Sequence, residues 1–259
     1  MPAATTTLRV VEAHARYYKR TWRGSVISTF ASPLFTLLAM GMGLGLLVDR
    51  QGGGPGGVSY LTWLAPGLLA AAAMQTAAGD SSYPVMAGMK WTKSYHAALA
   101  TPVGVPALTY GHFGWVACRL TLSLTVYAVI MMLVGAVSPI RGLFAIFPGV
   151  LTGMAFCTPI TAWVAQAKND AKLPSLFRFV IVPLFLFSGT FFPITQLPDW
   201  MQPVAYVTPL WHGVELARAA AGVPLSPHFP WYVHLGALLA FVIVGAYLAL
   251  RNMETALRK

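Results

Sequence analysis

The side chains in this sequence best suited to chemistry are six histidines, seven carboxylates and two cysteines, and their spacing assembles no catalytic set. His14, His96, His112, His212, His228 and His234 include no HExxH pair, and none has a carboxylate four residues on, so no metal site is expected. Cys118 and Cys157 each stand in an apolar stretch, which suits small packing residues rather than a disulfide or thiolate site. Residues 52–57 are glycine-rich but lack the Lys and Ser or Thr that complete a phosphate-binding loop, so this chain is not expected to hydrolyse ATP. The carboxylates, Glu12, Asp49, Asp80, Asp170, Asp199, Glu215 and Glu254, all read as loop or flank residues. An acid inside a membrane span, as an ion-driven transporter needs, is therefore missing. The residual candidates are His212, His228 and His234, which share one side of the topology below and would suit a lipid-modifying enzyme at the outer face.

The elements that must hold these residues are set by composition. Of 259 residues, 57% are apolar and 9% charged, against roughly 25% charged in a soluble domain, so the bilayer is the expected solvent. Fourteen Phe, eight Trp and ten Tyr exclude a disordered chain. The net charge of +10 comes without a basic run interleaved with polar residues, so nucleic acid is not an expected partner and the excess reads as topology.

Six segments are long and apolar enough to cross: 26–48, 60–78, 120–137, 142–164, 176–192 and 231–250. The expected fold is an all-α integral membrane protein of six transmembrane helices. Residues 1–25 form a cytoplasmic interfacial helix and 26–259 a single transmembrane domain. The opening residues lack a basic region, apolar core and cleavage site, so no cleaved signal is expected. Six spans place fourteen Lys and Arg on the side of both termini and only Arg50, Arg141 and Arg218 on the other, which puts both termini in the cytoplasm. The apolar run 107–137 is about 46 Å as a helix, longer than the bilayer core, and Arg119 lies within it. Residues 107–118 are accordingly expected at the cytoplasmic interface. In 194–222, three prolines and the charges of Asp199, Glu215 and Arg218 disfavour a lipid-exposed crossing, and two short outer-face helices are expected. Thr208 before Pro209 suits a helix start, and Glu215 and Arg218 are spaced to pair.

Before the first span, Leu8, Val11, Ala15, Tyr18 and Trp22 line one helix face while Arg9, Arg16, Lys19, Arg20 and Arg23 occupy the rest, an arrangement suited to anionic lipid headgroups. The longest cytoplasmic connection, 80–106, carries Tyr83, Lys90, Trp91, Lys93, Tyr95 and His96, and aromatics beside cations suit a contact surface. A helix is expected over 85–100. Gly41 with Gly45, and Gly149 with Gly153, have the GxxxG spacing that lets helices approach closely, within the chain or across a dimer.

Residues 185–218 read FLFSGTFFPITQLPDWMQPVAYVTPLWHGVELAR; with SPLFTLLAMGMGLG at 32–45, LAPGLLAAAAMQTA at 64–77 and WTKSYHAALATPVG at 91–104, the sequence resembles the ABC-2 type permeases. The resemblance is to the branch of nodulation-factor (lipooligosaccharide) and daunorubicin-type drug exporters, and it covers nearly the whole chain. It implies a permease subunit in the plasma or inner membrane that moves an amphipathic substrate outward. A second permease protomer, the same chain or a paralogue, and a separate ATPase holding ATP and Mg are the implied partners, with no cofactor in this chain. Tyr83, Lys90, Trp91, Lys93, Tyr95 and His96 would then couple to the ATPase, beside an interfacial helix carrying Arg16, Tyr18, Arg20, Trp22 and Arg23. Ser188, Gly189, Phe191, Phe192, Trp200, Trp211, Glu215 and Arg218 would form an outer gate.

Overall fold

A computed structural model describes residues 3–50, 52–224 and 229–258, with side chains described throughout these except at 3–4, 21–33 and 42. The described residues form helices joined by turns and short loops, with no strand among them. α1 (Ala3–Thr36) continues through a π-helical stretch (Leu37–Leu44) into α2 (Gly45–Arg50). α3 (Tyr60–Ser81) is followed by α4 (Tyr83–Met86), a π turn (Ala87–Trp91) and α5 (Ser94–Leu99). α6 (Val105–Leu133) and α7 (Pro139–Gln166) come next, then α8 (Leu173–Leu176), a π turn (Phe177–Ile181) and α9 (Val182–Phe187). α10 (Gln202–Val207), α11 (Pro209–Ala220) and α12 (Trp231–Leu257) complete the chain.

Local sequence explains where these helices begin. The Ser59 hydroxyl accepts a hydrogen bond from the Thr62 amide and caps α3, and prolines occupy the first turn of α6, α7 and α11, where a missing N–H costs nothing. α7 lies at the centre, packed by α3, α6, α11 and α12. Close approach is bought with small residues: Ala70, Ala71, Ala73, Ala77 and Ala78 of α3 are buried, and Gly149 and Gly153 of α7 face Leu69, Leu120 and Leu124. Gly41 and Gly45 face Leu61 and Tyr60 in the same way, so both GxxxG pairs serve packing within the chain. Phe144 and Phe147 of α7, Leu122 and Val129 of α6, and Ile243 and Tyr247 of α12 point outward, the surface expected of helices solvated by lipid.

Four helices among the described residues are long and apolar enough to cross a membrane: Tyr60–Trp91, Val105–Leu133, Pro139–Gln166 and Trp231–Leu257. They correspond to the second, third, fourth and sixth expected spans, with shifted ends. The third begins at Val105 as one unbroken helix and stops at Leu133, where Gly135 turns with a positive φ. The second continues past residue 78 to Ser81 and, across a break at Ser82, to Trp91. Of the first expected span, 26–48, the backbone is helical, but the side chains of 26–33 lie outside the described residues. The fifth, 176–192, instead falls on the short helical run 173–187, which ends as Gly189 turns at φ 77°. The helix expected over 85–100 is broken: Lys93 adopts a left-handed φ of 52°, and the Thr92 hydroxyl donates back to the Ala87 carbonyl at 3.0 Å, closing the turn before α5.

Candidate functional site

α3 has 22 residues, about 33 Å of helix, and joins two polar clusters at its opposite ends. At its first turn, Tyr60 and Trp63 stack with centroids 6.1 Å apart and face α11 and the 188–193 loop. Arg218 of α11 is the hub. Its Nε donates to the Trp63 carbonyl at 3.2 Å, one terminal nitrogen donates to Glu215 at 3.2 Å, and the other donates to Gly189 O at 2.7 Å and Thr190 O at 3.4 Å. The guanidinium carbon sits 3.6 Å from the Trp63 ring centroid, a cation–π contact in a dry setting. Burial lowers the Arg218 pKa to about 10, partly offset by Glu215, so the group remains a cation at neutral pH. The Tyr60 hydroxyl donates to Phe191 O at 2.9 Å, and the Tyr60 amide donates to Asp49 at 2.9 Å. α2, α3, the 188–193 loop and α11 are thereby stitched into one plug.

Of the expected gate residues, Ser188, Gly189, Trp211, Glu215 and Arg218 are buried in this plug, and Phe191 and Phe192 are half-buried. The Ser188 hydroxyl meets that of Thr208 at 3.2 Å, and Thr208 caps α11 by accepting from the Trp211 amide at 3.4 Å, as its sequence position suggested. Trp200 does not join them; it is 74% exposed. Trp63, Gly189, Tyr206, Trp211, Glu215 and Arg218 help line a cavity of 220 Å³. The Glu215–Arg218 pair was legible as i, i+3 spacing, but Tyr60 and Trp63 were missed because only their place on the capped first turn of α3 brings them to α11.

Beside the plug, His212 of α11 and His234 of α12 share a hydrogen bond between their Nδ1 atoms at 2.9 Å, with Trp211 packed on both rings. Burial, then the neighbouring His234, pushes His212 down to about 4. Each imidazole thus meets the other through its Nδ1 and both rings are buried, and His228 lies outside the described residues. No three His, Cys, Asp or Glu converge among the described residues.

At the other end of α3, the residues expected to form a contact surface divide. Lys90, Trp91, Lys93 and His96 are exposed, Trp91 at 52%, and Tyr83 stacks on Phe177 at 6.2 Å while remaining 41% exposed. Tyr95 departs from the expectation. It is 7% exposed, folded back over Gly88, where a Cβ would come within 2.6 Å of its ring, so it holds α5 against the π turn instead of meeting a partner.

The N-terminal helix also differs from its expected stripe. Val10 and Val11 pack on Gly111 and Gly114 of α6, His14 lies 6.1 Å from the Trp115 ring, and Tyr18 meets Trp115 edge-on at 5.6 Å. Leu8, Ala15, Arg16 and Arg20 stay exposed, and the side chains of Trp22 and Arg23 lie outside the described residues. Helix–helix packing has displaced part of the predicted lipid face. One carboxylate departs from its expected loop: Asp80 is buried in helix, in an ion pair with Arg119, while Glu215 sits in the short helix expected for it and pairs with Arg218. The two cysteines are free, Cys157 buried as expected but Cys118 exposed.

This arrangement, an all-helical bundle of apolar spans with a buried plug at one end and an exposed cationic, aromatic turn at the other, is that of an integral membrane protein. The chain belongs to the ABC-2 type transporter family, whose match covers residues 12–221. It is similar to Nodulation protein J of Rhizobium meliloti (strain 1021), 30% identical over 233 residues that cover 90% of this chain and 86% of the relative. Nodulation protein J of Neorhizobium galegae is 29% identical over 242 residues, 93% of this chain and 89% of the relative. Inner membrane transport permease YadH of Escherichia coli (strain K12) is 24% identical over 234 residues, 87% of this chain and 86% of the relative. The chain is thus a multi-pass membrane permease of this family, not itself an enzyme.

Proposed function

We propose that this chain is the membrane-spanning subunit of an ATP-driven exporter of an amphipathic molecule, a lipid-linked saccharide or an apolar drug. ATP and Mg are held on a separate ATPase subunit. The observation that carries the reading is the exposed turn at the far end of α3, where Lys90, Trp91 and His96 flank the exposed, left-handed Lys93. Aromatic and cationic side chains on a structured turn suit a protein partner better than lipid alone. The positive-inside bias of the sequence supports a cytoplasmic side for this turn and both termini and an outer side for the Arg218 plug. ATPase closure would bias the bundle between two states, the plug yielding as substrate leaves.

The substrate class is supported by an apolar groove of 710 Å³ between the first helix and α9, lined by Met40, Leu44, Phe185, Phe187 and Phe191 among others. Such a face suits acyl chains or a second permease protomer. The test is purification of the tagged chain from native membranes in mild detergent. A stoichiometric partner with a GxxxxGK[ST] loop and vanadate-sensitive ATP hydrolysis is the expected result. Reproducible isolation without such a partner, under conditions that keep a known transporter intact, contradicts the proposal.

A further inference from the structure

Arg119 of α6 stands between two other helices. On one side it forms an ion pair with Asp80, at the end of α3; on the other its guanidinium carbon lies 5.4 Å from the Tyr18 ring centroid on α1. Tyr18 is itself braced by Trp115, one turn before Arg119 on α6. The Arg119 side chain is 26% exposed and that of Asp80 10%, so water competes weakly with both contacts. Directly after this pair the helix breaks at Ser82, with φ −100° and ψ −88°, and the chain enters the turn that carries Trp91 and Lys93. Among the described residues the second carboxylate oxygen of Asp80 has no hydrogen-bond partner, and Arg119 is the one cation paired with the end of α3.

We infer that Tyr18, Arg119 and Asp80 form a clamp that fixes the interfacial helix to the end of α3 from which the coupling turn departs, so that α1, α6 and that end move as one body. The inference rests on the proposed ATPase coupling for its purpose, though not for its geometry. These are positioning residues: none faces the cavity near Arg218 or the groove beside α9. Without the clamp, a push passed from the Trp91 turn to α3 would move the end of that helix alone. With it, the push reaches α1 and α6 together.

The test is a spin-label distance between Tyr17→Cys and Lys90→Cys, both exposed positions, in a full chain carrying Cys118→Ser and Cys157→Ala. The clamp predicts one narrow distance that stays unchanged when the ATPase complex is trapped with Mg-ATP and vanadate. Arg119→Met and Tyr18→Leu should each broaden the distribution at least twofold and make it nucleotide-dependent. Tyr18→Phe, which keeps the ring, should restore the narrow distance, and Arg119→Lys should restore it in part. A folded Arg119→Met chain with the parental distribution overturns the inference. Loss of the narrow distance in Tyr18→Phe also overturns it, because the cation–π contact would then not be the link. Should no ATPase accompany the chain, the exporter reading fails, while the nucleotide-free distances still decide the clamp.

Discussion

Arg218 lies over the face of Trp63 and donates to that residue's own carbonyl, so one side chain of α11 grips both the ring and the backbone of the first turn of α3. The same guanidinium holds the carbonyls of Gly189 and Thr190. Arg218→Ala would leave Glu215 buried without its cation, a change that costs about 3–5 kcal/mol. The expected outcome is a fall in the thermal midpoint of the purified chain, with Arg218→Lys falling less because it keeps the charge but not the fork of donors. An unchanged midpoint in Arg218→Ala would show that the plug does not depend on this hub.

Trp91 and Tyr95 are four residues apart yet stand in opposite environments, one exposed and one buried. Trp91→Asp should leave folded yield unchanged and reduce ATPase recovery in a pull-down about tenfold, the equivalent of roughly 1.4 kcal/mol. Tyr95→Asp buries a carboxylate over Gly88 and should instead lower folded yield. Equal ATPase recovery from Trp91→Asp and the parent chain would remove Trp91 from the docking surface.

Gly213 and Gly79 separate packing from backbone preference. A Cβ at Gly213 collides with Thr152 of α7, whereas Gly79 has nothing within 4 Å. Gly213→Ala should destabilise by about 1–3 kcal/mol through overpacking. Gly79→Ala should stabilise by about 0.4–1 kcal/mol because it lies in helix and restricts the unfolded chain. Thermal midpoints in one detergent compare the two directly, and a shift of the same sign in both would refute the packing assignment.

The His212–His234 bond gives the plug a pH dependence. Because burial lowers His212 from 6.5 to about 4, the unfolded state binds more protons between those values. Stability of the plug should therefore be flat above pH 6.5, decline as pH falls toward 4 and level off below it. His212→Gln should flatten that decline, measured as the thermal midpoint from pH 7.5 to 4.5. A decline of the same slope in His212→Gln would assign it to other groups.

The sequence revealed what depends on local pattern. Apolar length located the four long helices, Thr208 with Pro209 marked the start of α11, and i, i+3 spacing paired Glu215 with Arg218. It could not reveal contacts between residues far apart in the chain. Arg119 looked like a cation to be kept at the interface because its partner Asp80 lies 39 residues away. Tyr95 looked like Trp91 because composition does not show which aromatic faces Gly88. The fifth expected span was drawn too far for a different reason: the apolar run continues past Phe187, but Gly189 turns the chain to meet Arg218.

The central claim, a permease whose Trp91 turn engages a cytoplasmic ATPase while its plug faces outward, is tested most directly by photo-crosslinking in native membranes. A photoreactive amino acid replaces Trp91 in one chain and Trp200, exposed near the plug, in another. The account predicts that the probe at 91 captures a protein with a GxxxxGK[ST] loop and that the probe at 200 does not. Capture of that protein from position 200, or from neither position while it co-purifies with the chain, would contradict it.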